Sequence, residues 1–438
     1  MTNTQTQDKN RPSNVVFRPS DSIAGFQQCL NDLSKRTFDA TATATDHPKE
    51  RFELYLSHIN LTKQTLPWLL QILNYPFPQP STTTTITTRK WDQVRFDFCK
   101  FQRPGSVWNH IHTTSDMFCS VDEEHLLGAT LARQTSSLTL GYSPEILACL
   151  VGSAANLEMD EFSLNYDRLS PMECEGLGTL IQQSPSLKYL HLLLRDLEDP
   201  QRLTHGMGHA IHLQVLSIQG LYQSTSSLRE AASDVAVRLL QHHNSQLRKL
   251  HLKSIHLKDS HFIKIVEVLP ISQLEVLVVD NNDIQSPGIW ALADKLSQIK
   301  SLKEVELCDN PWERSHEEYC WEDLLQGLRD NFSIEYMRWL SPDRIPFANL
   351  FSFYCNLNWA GRRILFTSHP VAAGLWPLIL ERAGNGTYHV EDWREDYEWR
   401  VQKYRVETLF FFLHNCPFLL PIGCSLKDDP KSKKSRCK

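Results

Sequence analysis

Three stretches decide the reading of this chain: residues 247–257 (LRKLHLKSIHL), 274–284 (LEVLVVDNNDI) and 302–312 (LKEVELCDNPW). Each carries aliphatic residues at the spacing L-x-x-L-x-L, namely Leu247, Leu250, Leu252; Leu274, Leu277, Val279; and Leu302, Val305, Leu307. The spacing returns at Leu187, Leu190, Leu192; at Leu213, Leu216, Ile218; and at Ile334, Met337, Trp339. Ordered along the chain, these starts lie 26, 34, 27, 28 and 32 residues apart. Weaker copies stand around Leu157–Met159 and Leu138–Leu140, and Val94, Phe96, Phe98 and Leu54, Leu56 are candidate earlier strands.

A period of this length means a stacked array in which no unit buries its apolar face alone. The x-L-x-L core alternates with period two, so it is one short strand whose leucines point inward. Return segments read as helices: Ile289, Leu292 and Leu296 share a stripe, as do Phe262, Val266 and Leu269 one repeat earlier. Uneven periods are tolerated, because doubling a loop costs only about 0.6 kcal/mol in closure entropy. The expected fold class is α/β, a solenoid with parallel strands on the concave face and helices on the convex face.

Asn282 and Asn310 each stand eight residues beyond the first leucine of their motif, where a side chain can satisfy backbone groups at the strand-to-return turn. Arg195, Leu221 and Ile255 hold that place in other copies. With these features the chain resembles leucine-rich-repeat proteins of the ribonuclease-inhibitor type. Its C-terminal segments, residues 357–365 (LNWAGRRIL), 375–383 (LWPLILERA) and 409–419 (LFFFLHNCPFL), are similar to the tail of an expanded leucine-rich-repeat family of diatoms, with Ala360 where that family has a second glycine. The resemblance implies an interaction role and carries no catalytic residues.

The expected organisation is a disordered N-terminus over 1–20, a helix and linker over 21–50, the repeat array over 51–340, a mainly helical cap over 341–424 and a disordered basic tail over 425–438. Ser22 to Leu33 has the look of a short helix, while the threonine runs at 37–46 and 81–88 read as loops. An array needs capped ends. In the cap, Trp376, Ile379 and Leu380 share a helical face with Glu381 and Arg382 pointing away, and Leu409–Leu413 with Phe418–Leu420 supply a second apolar surface. Glu391 to Glu407 reads as an exposed helix with an aromatic edge.

Composition narrows the function. Net charge is −6 over 438 residues, which lacks the clustered basic field of a nucleic-acid binder. The 11 cysteines form no C-x-x-C pair, so they read as reduced, buried thiols. The polar N-terminus has no apolar signal core, and the most apolar run, Thr408 to Cys424, is short for a membrane span and interrupted by polar residues. These features point to a cytoplasmic protein, with the lysine-rich tail allowing a nuclear one.

No nucleotide-binding, hydrolase-elbow or zinc-protease motif occurs. His205, His209 and His212 have a helical spacing that zinc could use, yet two glycines and the adjacent repeat leucine Leu213 weaken it. No metal and no cofactor are expected. The concave face is the informative surface. Strand alternation aims Asn156, Glu158 and Asp160, then Tyr189, His191 and Leu193, then Val215, Ser217 and Gln219 outward. Lys249, His251 and Lys253, then Val276, Val278 and Asp280, then Glu304, Glu306 and Cys308, and finally Tyr336 and Arg338 follow. Exposed valines and a tyrosine between charged rims suit a protein partner. The expected function is an interaction scaffold or adaptor. The alternatives are an accessory of a small GTPase or of ubiquitin transfer, for which no matching arginine loop or F-box motif is found, and an enzyme built on Asp392, Glu395, His389 and His414.

Overall fold

The computed structural model describes residues 14–19, 22–42, 51–75, 90–101, 119–153, 157–221, 224–314, 318–338, 348–365 and 376–385, with 408, 411, 412 and 414. The chain alternates strand and helix. It begins β1 (Asn14–Phe17), α1 (Ile23–Ala42), β2 (Arg51–Ser57), β3 (Asn60–Leu61), α2 (Leu66–Leu73), β4 (Gln93–Asp97), β5 (Lys100–Phe101), α3 (Val121–Gln134), β6 (Ser137–Gly141) and α4 (Pro144–Val151). It continues β7 (Glu161–Leu169), α5 (Pro171–Gln183), β8 (Tyr189–Leu197), α6 (Pro200–Met207), β9 (Val215–Gly220), α7 (Ser226–Gln241), β10 (Lys249–Lys253) and α8 (Asp259–Val268). It ends β11 (Val276–Val278), α9 (Ser286–Leu296), β12 (Glu304–Glu306), α10 (Glu318–Asp330), β13 (Tyr336–Arg338), α11 (Ala348–Trp359), α12 (Arg362–Leu365) and α13 (Trp376–Asn385).

Eleven strands form one sheet in the order β1-β2-β4-β6-β7-β8-β9-β10-β11-β12-β13, and β3 pairs with β5 beside it. Every pairing is parallel, as a chain returning by a helix requires. The motif leucines lie side by side: Leu190 next to Leu216, Leu216 next to Leu250, Leu250 next to Leu277, all fully buried. Each such side chain contributes roughly 1.5–3 kcal/mol of burial. Strands sit about 4.8 Å apart while packed helices need about 8–10 Å, so the stack bends with its strands inside. This is a leucine-rich-repeat solenoid.

The array starts earlier than residue 51. Asn14–Phe17, expected to be disordered, pairs with β2, Val15 beside Phe52, and Phe17 is buried edge-on to Trp91 at 6.0 Å. Helix α1 runs through Ala42, so Thr37–Ala42 is helix rather than loop. The strand expected at Leu157–Met159 is β7, two residues further on. Met159-x-x-Phe162-x-Leu164 is the true motif, since Phe162 pairs with Leu190 and Leu164 with Leu192. Asp160 and Glu158 precede that strand, and the outward residues are Glu161, Ser163 and Asn165. Phe98 also leaves its expected strand position and follows β4 at a positive φ of 54°. The second threonine run, Asn156 and residues 391–407 lie outside the described residues.

The turn position resolves well. Asn282 is buried; its Oδ1 accepts from the backbone N–H of Ile255 and Leu257, and its Nδ2 donates to the carbonyls of Leu252, Val279 and Asp280. Thus Ile255, itself without a polar side chain, is served by the next repeat. Asn310 repeats the arrangement for Ile284, Val279, Leu307 and Cys308. At the equivalent place two repeats near the N-terminus use Cys99, whose Sγ faces the Leu56 and Asp97 carbonyls, and Ser143, whose Oγ accepts from Cys99 N–H and donates to the Gly141 carbonyl. Cys99 is therefore part of the repeat signature.

Glycines allow close approaches between neighbouring repeats. A Cβ on Gly206 would lie 2.4 Å from the Gly178 Cα, so these residues let α5 and α6 touch. A Cβ on Gly220 would lie 1.9 Å from the Ser254 carbonyl oxygen.

At the C-terminal end α11 covers β13 and α10, and Leu357, Ala360, Ile379 and Phe412 form a separate buried cluster. The segment 357–365 has a structural role here. Asn358 donates to the carbonyls of Asn331 and Ile334, and Gly361 turns the chain at φ 102°. Arg362, buried, caps the end of α10 by donating to the Leu328, Arg329 and Asn331 carbonyls, with its guanidinium over Phe332 and Tyr354. Arg382 does not simply point away, since it lies over the Trp359 ring at 5.7 Å.

Replacing Asn282 by Ala strands the buried Ile255 and Leu257 N–H groups inside the stack, while the Val279 and Asp280 carbonyls keep Asn310 and the Ser254 N–H, and should lower stability by about 2–4 kcal/mol. Urea denaturation of the full chain measures it; a loss below roughly 1 kcal/mol would refute the bracing role.

Candidate functional site on the strand face

Parallel register sorts the outward residues into rows. Tyr189, Val215, Lys249, Val276, Glu304 and Tyr336 form one; His191, Ser217, His251, Val278, Glu306 and Arg338 form the next. Leu193, Gln219 and Lys253 continue a third, toward Asp280. The sequence-derived residues therefore do share one surface, but they differ in access. Tyr189 is 38% exposed, Lys249 and Glu304 are exposed, and His191 and Leu193 are half-buried.

The three valines correct the expectation. Val215, Val276 and Val278 are all buried, not exposed. The register supplies the reason: Val276 sits between Lys249 and Glu304, and Val278 between His251 and Glu306. At strand spacing, longer side chains on both sides shade a short branched one, and lysine and glutamate stems cover apolar surface readily. These valines are a floor beneath the charged residues.

Charges on this face are mostly paired across strands. Lys253 meets Asp280 at 3.2 Å, Arg338 meets Glu306 at 3.7 Å, and His191 lies 3.8 Å from Glu161. Asp280 also accepts from the Cys308 backbone N–H at 2.9 Å. Burial pushes the His251 imidazole down to about 4, helped by Lys253, His191 and Lys249, so it is neutral near pH 7. Burial, with Asp280 beside it, raises the Glu306 carboxyl above its ordinary range.

Further toward the N-terminus, Tyr55 on β2 lies between two guanidiniums, Arg18 and Arg95, each 5.3 Å from its ring centre. Its hydroxyl donates to Asp97 at 2.9 Å, and Arg95 does so at 2.8 Å. Extending the alternation outward from Leu54, Leu56, Val94 and Phe96 would have found Tyr55 and Arg95.

His205 ends α6, His209 follows its cap with the two rings 5.5 Å apart, and His212 lies beyond the helix, half-buried, with burial lowering its pKa. The three do not share a helical face. Among the described residues no three His, Cys, Asp or Glu side chains converge to hold a metal ion, and no helix is long and apolar enough to cross a membrane. Of the enzyme candidates, His414 is exposed, and His389, Asp392 and Glu395 lie outside the described residues.

Mid-array, β7 and β8 run on for nine residues each, and Asp196 anchors the extension. It accepts from Thr225 and Ser227 at the start of α7, from the Leu197 N–H at 2.8 Å and from Arg168 at 2.9 Å. Burial alone would raise its pKa, but these hydrogen bonds outweigh it and hold the carboxyl at about 2.

No family model matches this sequence, and no curated protein matches it. Among solved structures the chain is similar to leiomodin-1 actin-binding site 2, at 16% identity and a TM-score of 0.31, covering 36% of this chain and 91% of that one. It is also similar to the Rad7 and Elc1 complex in yeast, at 13% identity and a TM-score of 0.34, covering 74% of this chain and 75% of that one. The fold is assigned from the chain's own parallel ladder.

Because the folded Asp196 pKa lies below its ordinary value of 3.8, its contribution to stability is present above about pH 4 and lost as pH falls toward 2. The stability gap between the native chain and Asp196→Asn should narrow over that window. A gap of equal size at pH 6 and pH 2 would contradict the network.

Proposed function

We propose that the chain is a protein-binding solenoid, a scaffold or adaptor that does no chemistry of its own. The observation that carries this reading is the centre of the strand face. There the exposed Tyr189 stands with half-buried His191 and Leu193, across buried Val215 from the exposed Lys249, with Glu161 on one side and Glu304 and Glu306 on the other. Protein interfaces draw affinity from aromatic and apolar anchors and selectivity from the charges around them. Buried valines beneath make that floor rigid. The basic residues of β10 lie between the uncharged outward residues of β9 and, on the other side, Asp280 after β11 and the acidic residues of β12, so no contiguous basic field forms there to follow a phosphate backbone.

Strand-and-helix repeats, three of whose five spacings fall at 26 to 28 residues, support placing the array in the ribonuclease-inhibitor type. The C-terminal segments support kinship with the expanded diatom family, in which Gly361 and Arg362 would serve as a cap. A cytoplasmic or nuclear site of action fits this reading.

The double substitution Tyr189→Glu and Lys249→Glu alters exposed side chains only and should leave the melting temperature within a few degrees. Quantitative affinity capture with mass spectrometry from native extract should then show specific partners reduced by about tenfold or more. Equal recovery by both proteins would remove the centre of the strand face from the account.

A further inference from the structure

Four consecutive repeats place a ring at one register position. Ser57, Asp97, Gly141 and Asn165 are aligned across β2, β4, β6 and β7, and the residues that follow them are His58, Phe98, Tyr142 and Tyr166. His58 and Phe98 stack at 4.8 Å and 2°, Phe98 and Tyr142 at 4.8 Å and 7°, and Tyr142 and Tyr166 at 6.1 Å and 12°. Inter-repeat bonds hold the turns, from His58 N–H to Asp97, Phe98 N–H to Gly141 and Tyr142 N–H to Asn165.

Two features go beyond what closing a turn requires. The first is conformation. His58, Phe98 and Tyr142 have φ of 55°, 54° and 49°, a region where bulky side chains are rare. In the C-terminal repeats the equivalent place, also at positive φ, holds Ser254, Asn281 and Asp309. Small polar residues thus close the same turn in this protein, and asparagine and aspartate tolerate that conformation best. Backbone strain of this kind collects at binding sites. The second feature is exposure. Phe98 has a ring stacked on each face and is still 49% exposed, so its edge faces solvent. His58 is exposed and Tyr142 half-buried.

The surroundings indicate what the ridge would receive. Aromatic edges carry the positive end of the ring quadrupole. Arg18, exposed just past the end of β1 beside Tyr55 and so three residues short of His58 in the register, has the Tyr55 ring as its contact and no carboxylate partner among the described residues. Ring edges and a free guanidinium complement a negative group flanked by apolar surface. We propose that the His58–Phe98–Tyr142 ladder, together with Arg18 on the adjoining strand next to Tyr55, is a docking ridge for an extended segment of a partner protein that carries a carboxylate side chain a few residues from an apolar one. This rests on the protein-binding reading and adds a second anchor, at the N-terminal end of the same solenoid.

The test selects a phage-displayed library of random peptides, roughly twelve residues long so as to span the ladder, on the immobilised full chain. Enriched sequences should pair Asp or Glu with Leu, Phe or Ile, and synthetic copies should bind in fluorescence anisotropy. Phe98→Asn should weaken them about tenfold or more without lowering the melting temperature, because asparagine suits the turn. Arg18→Glu, at an exposed position, should weaken them similarly. Enrichment of basic or purely apolar peptides, or no enrichment, overturns the proposal. So does Phe98→Asn lowering the melting temperature while binding is unchanged, which would make the ladder a staple of the fold. If Tyr189→Glu with Lys249→Glu abolishes binding and the ladder variants do not, the ridge is refuted while the protein-binding reading stands. Tighter binding of a single-stranded oligonucleotide than of any selected peptide would also refute it.

Discussion

Each repeat leaves its aliphatic surface half covered until the next repeat lies against it, and that lateral contact is what the structure depends on. Leu190, Leu216, Leu250 and Leu277 are buried because a neighbouring strand stands beside each in register. A single repeat has nothing to exclude water from its leucines, so stability is shared along the stack. The same contact brings backbone groups together at the turns, where unsatisfied carbonyls and N–H groups would be costly. Asn282, Asn310, Ser143 and Cys99 meet that demand with different chemistry, all serving a turn of the preceding repeat.

The array is not uniform along its length. At both ends of the sheet the strands stop at a left-handed turn, marked by His58, Phe98 and Tyr142 on one side and Ser254, Asn281 and Asp309 on the other. Between them β7 and β8 continue past that point, and Tyr166 and Leu194 stay within the strands. Asp196 becomes the organising group there, tying the extended strands to the first turn of α7. The close approach of α5 and α6 at Gly178 and Gly206 falls in the same region. The glycines of residues 205–209 (HGMGH), which look like a site motif in one dimension, belong to helix packing.

Function is read from what the register leaves uncovered. Short side chains between long ones become floor, as the valines of β11 do, while Tyr189 and Lys249 remain accessible. The rings at the N-terminal turns are accessible for a different reason: stacking covers their faces and leaves their edges in water.

The periodicity of L-x-x-L-x-L was enough to determine the parallel strands, the helical return and the inward leucines, because each follows from local spacing and the need to bury one face. It also placed Tyr189, Lys249 and Glu304 on one surface. Where leucine was replaced, as in Met159-x-x-Phe162-x-Leu164, the phase was lost, and β1 (NVVF) holds no leucine to mark the true start of the array. Only the tertiary structure decided that Val276 and Val278 are covered, that Cys99 and Ser143 stand in for asparagine, and that four distant rings form one stack. Those facts depend on which residues from neighbouring repeats lie at strand spacing from one another, and sequence separation of a whole repeat carries no record of that contact.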